Sequence, residues 1–181
     1  MEIRQADLSF PWNGVLEGEQ VSYYQKWFKD IKSIYMNSEG MSEDTLMYTV
    51  FSKEEEAIEG HLNWGLTVLE PVTVNGECNM TRGHFHQDLN CQEYYWCSQG
   101  QGLLLLMDEQ GECWAEEVKP NSLHHIDGHL AHRLINTGNE QMKVVACWPS
   151  TSGHDYRRIE NHPFPVRVFK ENGKIVVKER T

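Results

Sequence analysis

The 181-residue chain has no apolar run that could cross a bilayer; its longest, Leu103–Met107, is five residues where about 20 are needed. Its opening, MEIRQADLSFPWNG, lacks the basic-then-apolar order of a secretory leader. Cysteine is sparse and unpaired in pattern. Cys78, Cys91, Cys97, Cys113 and Cys147 are odd in number and contain no CxxC. That argues against a disulfide framework or a thiolate zinc cluster and fits reduced thiols in a cytoplasmic protein. The Asn79-Met80-Thr81 sequon is then read as chance. Basic charge is also scarce: 16 Lys and Arg against 27 Asp and Glu leave a formal net charge of −11. No basic stripe is available to follow a phosphate backbone, so neither nucleic acid nor a membrane is expected as a partner. A small anionic ligand would need a local cation or converging N–H groups.

What remains is an ordinary globular composition, 39% hydrophobic and 24% charged, long enough for one core. Within EQVSYYQKWFKDIKSIY, apolar residues recur at Val21, Tyr24, Trp27, Phe28, Ile31, Ile34 and Tyr35, which predicts an amphipathic helix. From about Thr45 the texture changes to short strand-like runs between turn signals such as Gly100-Gln101-Gly102, Asp108–Gly111 and Thr137-Gly138-Asn139. FPVRVFKENGKIVVKER closes the chain as two alternating runs around Asn172-Gly173, a hairpin signal. The expectation is one all-β domain, 1–181, as a sandwich or barrel. Residues 1–44 form an N-terminal irregular and helical segment, 45–160 the barrel core and 161–181 the C-terminal hairpin.

Chemistry concentrates in TRGHFHQDLNCQEYYWCSQG, from Thr81 to Gly100. On an extended segment His84 and His86 share one face while Phe85 points to the other. Glu93 begins the next run, and a hairpin return can bring its carboxylate beside them. HLAHRLIN then offers His129 and His132 as a fourth ligand, followed by Asn136. Three imidazoles and a carboxylate suit Fe²⁺, Mn²⁺, Ni²⁺ or Zn²⁺, with positions left open for water or substrate.

GHFHQDLNCQEYYWCSQG and PNSLHHIDGHLAHRLIN resemble the two motifs of the cupin superfamily. TRGHFH, EYYWCSQGQGLLLL, AHRLINTG and WPSTSGHDY together resemble the cupin-type glucose-6-phosphate isomerases, from about Leu62 to Tyr156. The resemblance implies a cupin double-stranded β-helix, a jelly-roll barrel, here with a short N-terminal helix. It also implies a homodimer with a divalent metal, Fe²⁺ first, interconverting glucose 6-phosphate and fructose 6-phosphate in glycolysis and gluconeogenesis. By position it makes His84, His86, Glu93 and His132 the metal ligands, and His132 is chosen over His129 because it begins H-x-x-x-N. Thr67, Thr81, Arg82 and Gly83 match positions that hold phosphate. Glu93, Tyr95, His154 and Tyr156 match positions at the reacting sugar.

His124 and His125 have no implied role and are expected to be exposed loop residues. Arg157 and Arg158 are nearby cations outside the family pattern. The family usually shows a tyrosine where this chain has Trp148, which exchanges a phenol for a bulkier indole. Proton transfer through an enediolate and a metal-assisted hydride shift both remain open as chemistry. Other readings of the same motifs are an isomerase of another sugar, a cupin dioxygenase and a non-catalytic sugar-binding cupin.

Overall fold

Alternating strands need a partner for each edge and a second sheet for each apolar face, and the chain supplies both. A computed structural model describes residues 1, 3, 4, 6–9 and 15–180. In chain order the first strands are β1 (Leu8–Ser9), β2 (Glu17–Gly18), β3 (Ser22–Trp27), β4 (Leu46–Lys53) and β5 (Leu62–Leu69). They are followed by β6 (Thr73–Val74), β7 (Glu77–Cys78), β8 (Glu93–Gln99), β9 (Gly102–Met107) and β10 (Cys113–Val118). The last are β11 (Leu123–Ile126), β12 (Ala131–Asn136), β13 (Met142–Pro149), β14 (Val166–Glu171) and β15 (Lys174–Glu179). Two short α-helices are α1 (Phe28–Ile31) and α2 (Tyr156–Asn161).

The larger sheet has the order β11-β8-β13-β5-β4-β3, and its pairs are antiparallel. The smaller has the order β10-β9-β12, and residues 80–84 extend it through bridges from Met80 to Ile135 and His84 to His132. From β5 to β13 the chain passes back and forth between these sheets, which is the winding of a double-stranded β-helix. This is the expected all-β cupin jelly roll. Leu104, Leu106, Leu134, Val144, Ile126 and Phe85 belong to the core between them, each at most 2% exposed. β14 and β15 form the anticipated hairpin about Asn172-Gly173, both at positive φ, in a sheet with β7 and β6.

The N-terminal segment departs from its predicted helix. Only Phe28–Ile31 is α-helical, with a single 3₁₀ turn after it, while Ser22–Trp27 is the edge strand β3. Tyr24 and Lys26, two apart, line one cleft, whereas Tyr23 faces the other way onto Phe51 at 5.7 Å between rings. Steps of three and four match a helix and not the two-residue period of a strand, but β-favouring aromatic residues and pairing with the edge of β4 decided for the strand. A register shift between Lys26 and Trp27 ends the pairing where α1 begins. His124 and His125 also differ from expectation, since both lie in β11 rather than a loop. His124 is buried, with Glu116 at 2.6 Å and Ser122 at 2.8 Å; His125 is exposed and meets Gln92 at 2.9 Å. Asn79 is fully buried and donates to Met47 and Glu70 carbonyls, which agrees with a sequon that carries no sugar.

A buried ion pair ties the C-terminal hairpin to the rest. Arg167 donates to Glu77 at 2.7 Å and to the Ile34 carbonyl at 3.0 Å, and Glu77 accepts from the Met36 amide at 2.7 Å. Removing one partner strands the other's charge away from water. Glu77→Ala is therefore expected to cost about 3–5 kcal/mol, read as a lowered urea midpoint with an unchanged slope.

Candidate metal centre

Gly83 lets the histidine segment press against β12. Its φ is +76°, and a Cβ there would meet the His132 carbonyl at 3.1 Å and Arg133 Cβ at 3.2 Å. With that approach allowed, the His84 amide donates to the His132 carbonyl (3.3 Å) and the His132 amide to the His84 carbonyl (3.1 Å). Phe85 turns into the core at 1% exposure, so His84 and His86 face the site as alternation requires. Glu93 enters from the first position of β8.

The four candidate ligands converge. One ligand atom from each of His84, His86, Glu93 and His132 lies within 4.8 Å of the others. Glu93 Oε2 is 3.2 Å from His86 Nε2 and 3.1 Å from His132 Nε2. His132 Nε2 is close to that carboxylate without an aligned hydrogen bond, and His84 Nε2 is likewise buried without a partner. Two buried ring nitrogens without hydrogen-bond partners, clustered with a carboxylate, suit a divalent cation. Backbone carbonyls fix the ring faces: His86 Nδ1 meets Cys91 O at 2.7 Å, leaving Nε2 inward, and His132 Nδ1 lies 3.4 Å from Leu130 O. His129 stands apart, exposed beside Glu109 at 3.7 Å.

Burial and mutual contact set the charges. Desolvation holds His84 well below the usual imidazole range, aided by His132, His154 and His86. Desolvation opposes charge on His86 too, but the hydrogen bond and attraction to Glu93 outweigh it and raise its pKa. Burial pushes Glu93 up, and the two imidazoles more than reverse this, so it stays an anion.

A cleft of about 90 Å³ opens over the ligands, lined also by Thr81, Arg82, Gly83, Tyr95, His154 and Tyr156. It shares Tyr24, Tyr48, Arg82, Trp148, His154 and Tyr156 with an outer vestibule of about 330 Å³. His154 packs edge-on against His84 at 4.3 Å and stacks near Tyr156 at 5.8 Å. Desolvation lowers the pKa of His154 and raises those of Tyr95 and Tyr156, so at neutral pH the imidazole is neutral and both phenols keep their protons. The Arg82 guanidinium lies 4.6 Å over the Tyr156 ring and pairs with Glu160. Trp148 fills one wall because residue 65 is glycine; a Cβ there would fall 2.9 Å from the indole.

Two predicted site residues stand outside these linings: His86, buried behind the cleft against Glu93, and Thr67. Thr67 is half-buried, opposite Val50 and Val144 in register, and Val50 reaches the cleft. Arg158 points elsewhere, onto Phe85 and Glu109. Sequence reading missed Tyr24, Lys26, Tyr48 and Glu54 in the linings. The alternation Tyr24-x-Lys26 was the available signal, and the helical reading of that segment concealed it.

Contact with Glu93 raises the His86 pKa, so a cation competes there with a proton as pH falls. Affinity for Mn²⁺ is expected to rise with pH across about pH 5 to 8, with release of about one proton per ion near the lower end. Calorimetric titration in buffers of different ionisation enthalpy reads this directly.

The family model described as glucose-6-phosphate isomerase (GPI) matches residues 25–181. Glucose-6-phosphate isomerase of Thermococcus litoralis is 34% identical over 171 residues, 92% of this chain and 89% of that protein. The enzyme of the same name from Pyrococcus horikoshii is 34% identical over 170 residues, covering 91% of this chain and 89% of the relative. Oxalate decarboxylase from Bacillus subtilis is a looser structural likeness, with a TM-score of 0.47 at 16% identity over 66% of this chain and 28% of that one. On the family match and the length shared with these isomerases, the chain belongs to the cupin-type glucose-6-phosphate isomerase family.

Proposed function

We propose that the chain is a metal-dependent isomerase interconverting glucose 6-phosphate and fructose 6-phosphate. The observation that carries this reading is one cleft lined by three of the four convergent ligands (His84, Glu93 and His132), the Thr81-Arg82-Gly83 segment, and the Tyr95, His154 and Tyr156 side chains. His84, His86, Glu93 and His132 would hold the ion, with Fe²⁺ first and Mn²⁺, Ni²⁺ or Zn²⁺ as alternatives. When bound, it supplies Lewis-acid stabilisation for negative charge on the sugar's C1 and C2 oxygens.

The chain's own groups do the rest. Thr81, the Gly83 amide and the Arg82 guanidinium orient the phosphate, answering the long-range repulsion of an acidic surface. Thr67 supports that end from the neighbouring strand. Glu93 carries the proton between C2 and C1. Its depressed pKa makes it a weak base, so neutral His154 accepts a hydroxyl proton during ring opening and transfer. Tyr95 and Tyr156, both protonated, donate to sugar oxygens.

The core cluster runs from Phe28 to Val168, which supports reading 1–181 as one domain. Among the described residues no helix is long and apolar enough to cross a membrane, and a cytoplasmic enzyme is the proposed setting. A homodimer is proposed through the outer face of the larger sheet. There Leu123 pairs with Trp96 and Cys147 lies between Tyr94 and Trp64, with all four large side chains at least 39% exposed.

Metal-loaded protein is expected to convert fructose 6-phosphate, to stop on chelation and to recover with Mn²⁺ or Fe²⁺. Glu93→Gln should abolish turnover. His154→Gln should lower kcat by about 10²-fold or more while leaving Mn²⁺ affinity within a factor of about two. Deuterium entering the product from D₂O supports proton transfer; its complete exclusion points to a hydride shift. No turnover with either metal would reject this substrate and turn the search to other sugars. Separately, Trp96→Lys is expected to give a monomer in sedimentation at concentrations where the parent is a dimer.

A further inference from the structure

A second space of about 400 Å³ lies on the other side of Arg82, between the α1 region and α2. Its charged lining is Arg82, Arg133, Arg180, Asp30 and Glu160. The carboxylates are already engaged: Asp30 accepts from the Trp27 amide at 2.9 Å, and Glu160 pairs with Arg82. Neither Arg133 nor Arg180 has an ion-pair partner among the described residues. The carboxylate behind them, Glu77, is taken by Arg167 at 2.7 Å.

Arg133 is the unusual member. It is 6% exposed, its guanidinium lies 4.8 Å over the Phe164 ring, and one Nη2 bond reaches the Arg82 carbonyl at 2.5 Å. Its Nε is buried with no hydrogen-bond partner. A guanidinium keeps its positive charge at neutral pH, buried or not. A buried guanidinium in a cavity wall, with an unpaired Nε and no ion-pair partner among the described residues, is costly unless an anion completes it.

We propose that this cavity is an oxyanion site, separate from the metal cleft, which takes the phosphate group of a small phosphorylated molecule between Arg133 and Arg180. Guanidinium forks match phosphate oxygens, and the apolar wall of Ile31, Ile34 and Ile159 leaves room for an uncharged body. The site rests on its own residues and not on the isomerase reading. Arg82 is the shared wall.

The test is calorimetric binding of inorganic phosphate to metal-loaded full-length protein, its Arg180→Ala variant and its Arg133→Met variant. Saturable binding is expected in the parent, weakened about tenfold or more in each variant. Turnover of Arg180→Ala, measured without phosphate, should match the parent. If Arg133→Met does not fold by circular dichroism, Arg180→Ala decides alone. Parent-like phosphate binding in the folded variants would overturn the proposal by assigning all binding to the cleft; absence of saturable binding in the parent would overturn it as well. The readout is binding, so it stands or falls independently of whether fructose 6-phosphate is turned over.

Discussion

Two backbone hydrogen bonds exchanged between His84 and His132 hold the site together. They join the short extended segment 80–84 to β12 and fix two imidazoles at 4.3 Å between ring centres. His86 follows by alternation, and Glu93 closes the group from the opposite sheet. A cluster assembled from two facing sheets can be no more precise than the packing between them. Here that packing is a continuous apolar core, with Phe85 anchoring the space between the two histidines of the segment.

The electrostatic design is one of local exceptions. In this acidic chain Lys26 lines the vestibule, Arg133 and Arg180 line the second cavity, and Arg82 lies between them. Arg82 alone touches the cleft, the vestibule and the second cavity. Low dielectric around the four ligands does the complementary work. It strips the proton from His84 while letting Glu93 keep its charge through direct contact with two rings.

Much of this was legible in the residues. The HFH alternation and Glu93 at the start of a strand-like run pointed to three members of the cluster, and the family resemblance chose His132 over His129 for the fourth. Asn136 shows why its position matters: its side chain ties the turn before β13 to Leu69 and Glu140 carbonyls, and accepts from the Gly138 amide. The strands and the C-terminal hairpin were legible because turn residues bounded them. Less legible was anything set by pairing across long sequence distance. β3 looked helical because its apolar residues recur at steps of three and four, and only pairing with the edge of β4 overrode that pattern. The second cavity was invisible for the same reason: Asp30, Arg82, Arg133, Glu160 and Arg180 share no local pattern.

The contact between Gly65 and Trp148 makes the cleft wall dependent on the order of change. With the indole in place, any side chain at 65 collides with it; with a smaller ring at 148, the vacant space at 65 becomes a void. Neither position can be altered first without loss unless the other follows, so the two form a single unit of variation. A lineage or an engineer reshaping this wall must pass through a poorer intermediate, and the pocket's outline is correspondingly slow to drift.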